Sequence, residues 1–194
     1  CNNKTKELYH NLGFKVGALT HAYMLNPYIS KFKIAKIKKN SQLKVKSVNL
    51  NYQILESIKS LKNSKFDKNY SMIFNKNIEY FINKYEKNIF YSYEFLVLKE
   101  KNEAKFLIVY KKINLKTKVV IRFIDFFGNF KYLPKIKDSI MHFFNNKNVE
   151  YIDFYYHGIP DKYLIKSGFK IKKNNSKNII PNYFEPFLRQ NINI

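Results

Sequence analysis

The sequence predicts an α/β (α+β) fold, a mixed and largely antiparallel sheet flanked by helices. Three observations predict it. First, one phrase occurs twice: Leu8-Tyr9-His10-Asn11-Leu12-Gly13-Phe14 and Tyr163-Leu164-Ile165-Lys166-Ser167-Gly168-Phe169. In each, an amphipathic helix stops at a glycine able to take the left-handed conformation, and phenylalanine opens an extended segment. Second, three strand-length runs, 91–98, 105–113 and 118–127, are separated by short polar turns at 99–103 and 114–117, the spacing of an antiparallel meander. Third, a helix, a strand and a short helix follow the meander, so pairing turns from antiparallel to parallel near Asp125 to Gly128.

The elements follow in order. Residues 2–11 read as the last turns of a helix, although residue 1 is Cys rather than Met, which suggests a fragment or a processed product. Residues 15–25 read as extended up to the break Asn26-Pro27. Residues 31–37 alternate polar and apolar with a period near two, a half-buried strand, and 43–48 roughly repeat the pattern, with a turn or linker at 38–41 between them. Residues 51–61 read as a helix, with Ile54, Leu55, Ile58 and Leu61 at helical spacing, and residues 62–67 form a polar loop. A second helix spans about 77–87 with Ile78, Phe81, Ile82 and Tyr85 on one face. After the meander come a helix over about 133–145, a strand over 149–156, a helix from Pro160 to Gly168 and a strand over 169–172. The proline-punctuated apolar tail 179–187 packs back over the sheet as an edge strand or lid.

Composition narrows the function. With 194 residues, 45 % hydrophobic and 18 % aromatic, the chain buries a substantial core. No apolar run approaches the roughly 18–20 residues of a membrane helix, and no secretory leader pattern is present. One cysteine, Cys1, excludes an internal disulfide and a Cys-based zinc cluster and fits a reducing cytoplasm. No His, Asp and Glu spacing makes a metal site. The net charge of +22 invites a nucleic-acid reading. Yet only Arg122 and Arg189 are arginine, so 34 of the 36 basic residues are lysines, which lack the planar fork used in base and phosphate recognition. The wealth of Lys, Asn, Ile, Tyr and Phe matches an A/T-rich coding bias, with an anionic ligand such as a coenzyme phosphate as the other reading.

Candidate chemistry gathers near the change of pairing. Asp125 stands between Ile124 and Phe126 and, by strict alternation, shares a face with Phe123; Asp153 sits similarly on the next strand. Desolvation among Ile and Phe raises a carboxylate's pKa and suits it to take a proton from an ammonium. The competing reading is a structural ion pair, for example Asp125 with Arg122 or Arg189. His157 ends a strand, where active sites gather, and otherwise reads as a surface histidine.

Two helices, a three-strand meander, a helix, a strand, a helix and a terminal strand resemble the order of the GNAT superfamily of acyl-coenzyme A transferases. Residues 2–14 are similar to that family's penultimate helix, with Leu-Tyr followed by Gly-Phe, and 152–169 are similar to a second copy. The resemblance implies that 1–40 are the C-terminal end of a first GNAT-like unit or an N-terminal extension, and that 41–194 are a GNAT-like domain. It implies an acyl-coenzyme A co-substrate, acetyl most simply, whose pyrophosphate rests on backbone N–H groups along Phe126, Phe127, Gly128, Asn129, Phe130 and Lys131. This turn offers one glycine where the family usually has two or more. The resemblance gives Asp125 the role of general base. It gives Tyr9, four residues before Gly13, the role of acid; in the second copy Leu164 holds that place and Tyr163 lies one position off. The implied reaction is direct N-acyl transfer to a small-molecule or sugar amine, by analogy an amino sugar of bacterial surface-polysaccharide assembly. The alternative is a catalytically degenerate GNAT-fold module for binding or scaffolding.

Overall fold

The computed structural model describes residues 3–17, 19–38, 51–66, 76–173, 175–184 and 187–190. The strand-like run predicted at 43–48 and the turn at 39–41 lie outside the described residues. Nine strands are named in chain order: β1 (Thr20–Leu25), β2 (Asn51–Leu55), β3 (Glu94–Glu100), β4 (Glu103–Leu115), β5 (Lys118–Gly128), β6 (Val149–Tyr156), β7 (Lys170–Ile171), β8 (Tyr183–Phe184) and β9 (Phe187–Leu188). The helices are α1 (Asn3–Asn11), α2 (Ile78–Phe81, continued by a π-turn over Ile82–Glu86), α3 (Lys137–Asn145) and α4 (Asp161–Lys166). Single 3₁₀ segments cover Lys59–Leu61 and Phe130–Ile136.

Seven strands form one mixed sheet in the order β2-β3-β4-β5-β6-β1-β7. All neighbours are antiparallel except β5 and β6, which run parallel. The predicted meander and the predicted switch to parallel pairing are both present. The N-terminal strand β1 is not peripheral: it is seated between β6 and β7.

Alternation along the strands divides the apolar side chains between two faces. One face carries the largest cluster, with Phe106, Phe123, Phe154 and Phe169 packed under the 3₁₀ segment, α3 and α4. On the other face, Phe95, Val97, Leu107 and Val109 lie against Phe81, Ile82 and Tyr85 of α2. Farther along the same face, Tyr23, Val120 and Tyr151 are covered by Ile34, Ala35 and Ile180. Each fully buried Leu or Phe in these layers contributes about 1.5–3 kcal/mol.

The repeated phrase folds the same way twice. Gly13 and Gly168 both have positive φ (+82° and +98°). In the first copy Phe14 N–H donates to Tyr9 O and Gly13 N–H to His10 O; in the second Phe169 N–H donates to Leu164 O and Gly168 N–H to Ile165 O. This is the Schellman closure in both places.

Two predicted elements are corrected. Residues 51–61 are not a helix: 51–55 form edge strand β2, and only Lys59–Leu61 coil, as a 3₁₀ turn. Ile54 faces the large cluster while Leu55 faces the opposite one, so both faces of this edge are covered. Two adjacent apolar residues then imitate helical spacing. Residues 31–37 are not a strand; among the described residues their ladder pairing is limited to one isolated bridge, Lys36 with Ile179. Their N–H groups are met by a side chain instead, the Glu150 carboxylate accepting from Lys33, Ile34 and Ala35. The tail acts as a cover: Ile180 is buried, and β8 and β9 form a separate hairpin.

Candidate functional site

The parallel pair β5 and β6 is joined only from Val119 and Val149 up to Phe123 and Phe154. Beyond that rung β5 runs on to Gly128 still paired with β4, and β6 runs on to Tyr156 still paired with β1. Each strand keeps its outer neighbour and loses its inner one, so the two part. The local cause is a bulge. Val109 pairs with Asp125 and Tyr110 with Phe123, leaving Ile124 as an extra residue on β5. An extra residue bends its strand and sharpens the twist, here at the last joined rung.

The opening is a cleft of ≈ 180 Å³ lined by Lys76, Ile124, Asp125, Phe126, Phe154, Tyr155, Tyr156 and His157. The bulge also sets where Asp125 points. It shares a face not with Phe123, which sits in the large cluster, but with Ile124, toward α2. There Lys76 Nζ lies 2.6 Å from Asp125 Oδ1, and the Tyr85 hydroxyl donates to Oδ2 at 2.8 Å. Burial, and then the Asp125 charge, push the Tyr85 phenol up in pKa, which keeps its proton in place to donate. The Asp125 ion pair is therefore with Lys76, not with either arginine. Arg189 instead donates to the carbonyls of Ile34 and Ala35.

Below the cleft lies a buried charged group. Arg122 and Asp153 are register partners across β5 and β6, joined by two hydrogen bonds of 2.9 and 2.6 Å. Burial alone would raise the Asp153 carboxyl; the Arg122 guanidinium and His21 outweigh it and hold it below its usual range. The desolvated-base expectation fails for Asp153, because it faces a guanidinium rather than Ile and Phe. His21 Nε2 lies 3.3 Å from Asp153 Oδ2, and its ring stacks on Tyr155 at 4.2 Å. The third guanidinium nitrogen, Arg122 Nη1, donates to Asn182 O in the tail at 2.9 Å.

The other predicted residues separate. His157 is exposed at the cleft, its ring covered on one side by Gly17, where a Cβ would come within 3.2 Å of Cε1. Phe126 lines the cleft, whereas Phe127 turns to the α2 side against Phe66 and Phe81. Phe130 packs on Tyr163 with ring centres 5.0 Å apart, so neither lines the opening. Asn129 caps the 3₁₀ segment, its Oδ1 accepting from Lys131 N–H at 3.0 Å. Tyr9 is exposed on α1 and packs edge-on against Phe14, outside the cleft. Sequence reasoning missed Lys76, Tyr85 and Tyr155. One lysine among 34 carries no distinguishing signal, and Tyr85 reads only as a helix-face residue.

Among the described residues no group of three or more His, Cys, Asp or Glu is placed to hold a metal ion, and no helix is long and apolar enough to cross a membrane.

No family model and no curated protein matches the chain. Among solved structures, it is similar to a functionally unknown conserved protein from Staphylococcus epidermidis ATCC 12228, with a TM-score of 0.49 and 14 % identity. That likeness covers 89 % of this chain and 64 % of the other.

Proposed function

We propose that this protein is an acyl-coenzyme A-dependent N-acyltransferase, acetyl being the simplest acyl group, acting on an amine acceptor. The observation that carries the reading is the parting of the two parallel strands at Phe123 and Phe154, with a carboxylate and an imidazole in the opening. Strand ends that have lost their inner partner suit an extended amide-bearing arm such as pantetheine. The residues that would hold it are Ile124, Asp125 and Phe126 on one side and Phe154, Tyr155 and Tyr156 on the other.

In the reaction an acceptor nitrogen forms a bond to the thioester carbonyl carbon, the C–S bond breaks, and the thiolate leaves and takes a proton from the medium. His157, at the mouth, removes the proton from nitrogen. Asp125, fixed by Lys76 and Tyr85, accepts a hydrogen bond from the incoming amine. An amino sugar of surface-polysaccharide assembly is the acceptor class the resemblance suggests, and a cytoplasmic setting agrees with a thioester co-substrate.

A second reading, a degenerate module for binding or scaffolding, is favoured by two contacts. Lys76 already occupies Asp125, and Asn129 already occupies the Lys131 N–H. A thermal-shift titration with coenzyme A separates the two. Coenzyme at a hundredfold its Kd stabilises by about 2.7 kcal/mol, raising the midpoint by roughly 5–10 °C for a chain of this size. Thiol release from acetyl-coenzyme A with amine acceptors should then fall about 100-fold or more in His157→Ala. No midpoint shift at millimolar coenzyme overturns the enzyme reading.

A further inference from the structure

The loop between α2 and β3 presents three consecutive large apolar side chains to solvent. Ile89 is 86 % exposed, Phe90 83 % and Tyr91 49 %. The loop is built, not frayed: Asn88 Oδ1 accepts from the N–H groups of both Phe90 and Tyr91, at 3.0 and 2.8 Å. Lys87 N–H returns to Ile82 O, which anchors the base of the loop to the end of α2. An apolar tip held in one conformation has met its ordering cost before any partner arrives.

The charges around the tip have one sign to offer. Lys111 Nζ lies 4.9 Å from the Tyr91 ring centre, and Lys84 and Lys87 belong to the preceding turn. The nearby carboxylates are already engaged. Glu86 is paired with Lys59 at 3.5 Å and Glu94 with Lys112 at 2.6 Å, so each carboxylate has a cation of its own. The whole chain carries +22.

We infer that the Ile89-Phe90-Tyr91 tip is a peripheral membrane anchor, inserting into the interface of a bilayer rich in anionic headgroups while the surrounding lysines meet the phosphates. The geometry favours lipid over a protein partner on size. Three exposed side chains offer on the order of 400 Å², whereas a stable protein interface needs about 800 Å² from each side. A bilayer interface needs only an apolar wedge reaching about 5–10 Å deep with cations beside it. This inference does not rest on the acyltransferase reading, and either can fail alone.

The test is co-sedimentation of the full chain with phosphatidylcholine vesicles, with and without phosphatidylglycerol. The chain should bind the anionic vesicles, and Ile89→Ser combined with Phe90→Ser should weaken binding about tenfold or more. Both side chains are exposed, so the double variant should keep the wild-type melting midpoint. The chain has no Trp, so Phe90→Trp adds a single reporter whose emission should shift to the blue on anionic vesicles. Absence of binding to phosphatidylglycerol vesicles overturns the inference. Equal binding by wild type and double variant overturns it too, since lysine charge alone would then suffice. So does a concentration-dependent dimer that the double variant abolishes, which would make the tip a contact between copies.

Discussion

Arg122 and Asp153 face each other one rung before β5 and β6 part, and they hold the vertex of the opening together. Removing one partner of such a buried pair strands a charge, at about 3–5 kcal/mol. His21 completes the group and is the residue most sensitive to pH. Burial holds its pKa below the ordinary 6.5, although Asp153 pulls the other way. The neutral ring with hydrogen on Nε2 satisfies Asp153 and leaves Nδ1 buried with no hydrogen-bond partner among the described residues. The sign follows from proton uptake. Below pH 6.5 the unfolded histidine binds a proton that the folded one resists, so stability falls with pH from about 6.5 down through the lowered folded value. Asp153, held below 3.8, adds a loss in the same direction only at more acidic pH. His21→Gln removes the first of these. Chemical denaturation at stepped pH should show the wild type losing stability between pH 6.5 and 5 more steeply than the variant. Parallel curves over that window would show that His21 titrates alike in both states.

At the scale of elements, the end of β5 is where local conformation matters most. Gly128 has φ +107°, and a Cβ there would meet the Lys105 carbonyl oxygen at 2.5 Å. Gly128→Ala therefore combines backbone strain with a clash against main chain, and should cost about 2–4 kcal/mol in denaturant unfolding. Gly13→Ala is the control: φ is +82° but nothing lies within 4 Å, so only strain of about 1 kcal/mol applies. Equal costs would mean that β4 yields to the added methyl. The same elements show how far the fold was legible. The meander, the second helix and both Gly-Phe closures were readable because their signals are local: alternation, turn residues and a glycine at a fixed offset. The bulge at Ile124 was not, since strict alternation assigns Asp125 to the face of Phe123, and only pairing with β4 reveals the extra residue. Residues 31–37 misled for a related reason: their N–H groups are satisfied by Glu150, more than a hundred positions away, and no local pattern announces that. Of the cleft lining, Asp125 and His157 were named from their place near strand ends and Phe126 through the resemblance, while Lys76 and Tyr85 reach Asp125 from another layer.

The whole molecule depends on a strand from its first 25 residues. β1 pairs with β6 from Thr20 with Tyr156 to Leu25 with Tyr151, and with β7 through Ala22 and Tyr23. Ala22 and Met24 enter the large cluster and Tyr23 the cluster on the other face, so β1 is buried on both sides. Without it β7 has no neighbour in the sheet, and β6 exposes its edge. Helix α1, which ends nine positions before β1 begins, is the opposite case. Its Leu8 and Tyr9 are exposed, as is Leu12 just after it, and nine residues are too few for an isolated helix to persist in water. The N-terminal segment should therefore split sharply in native-state hydrogen exchange. Amides of β1 should open only with global unfolding, matching those of β6, while α1 amides should exchange within about a factor of ten of the free-peptide rate. If β1 exchanges as early as α1 while β6 stays protected, the first 25 residues form a detachable unit. The sheet would then hold its cleft without them, and the shape of the site would depend on β4, β5 and β6 alone.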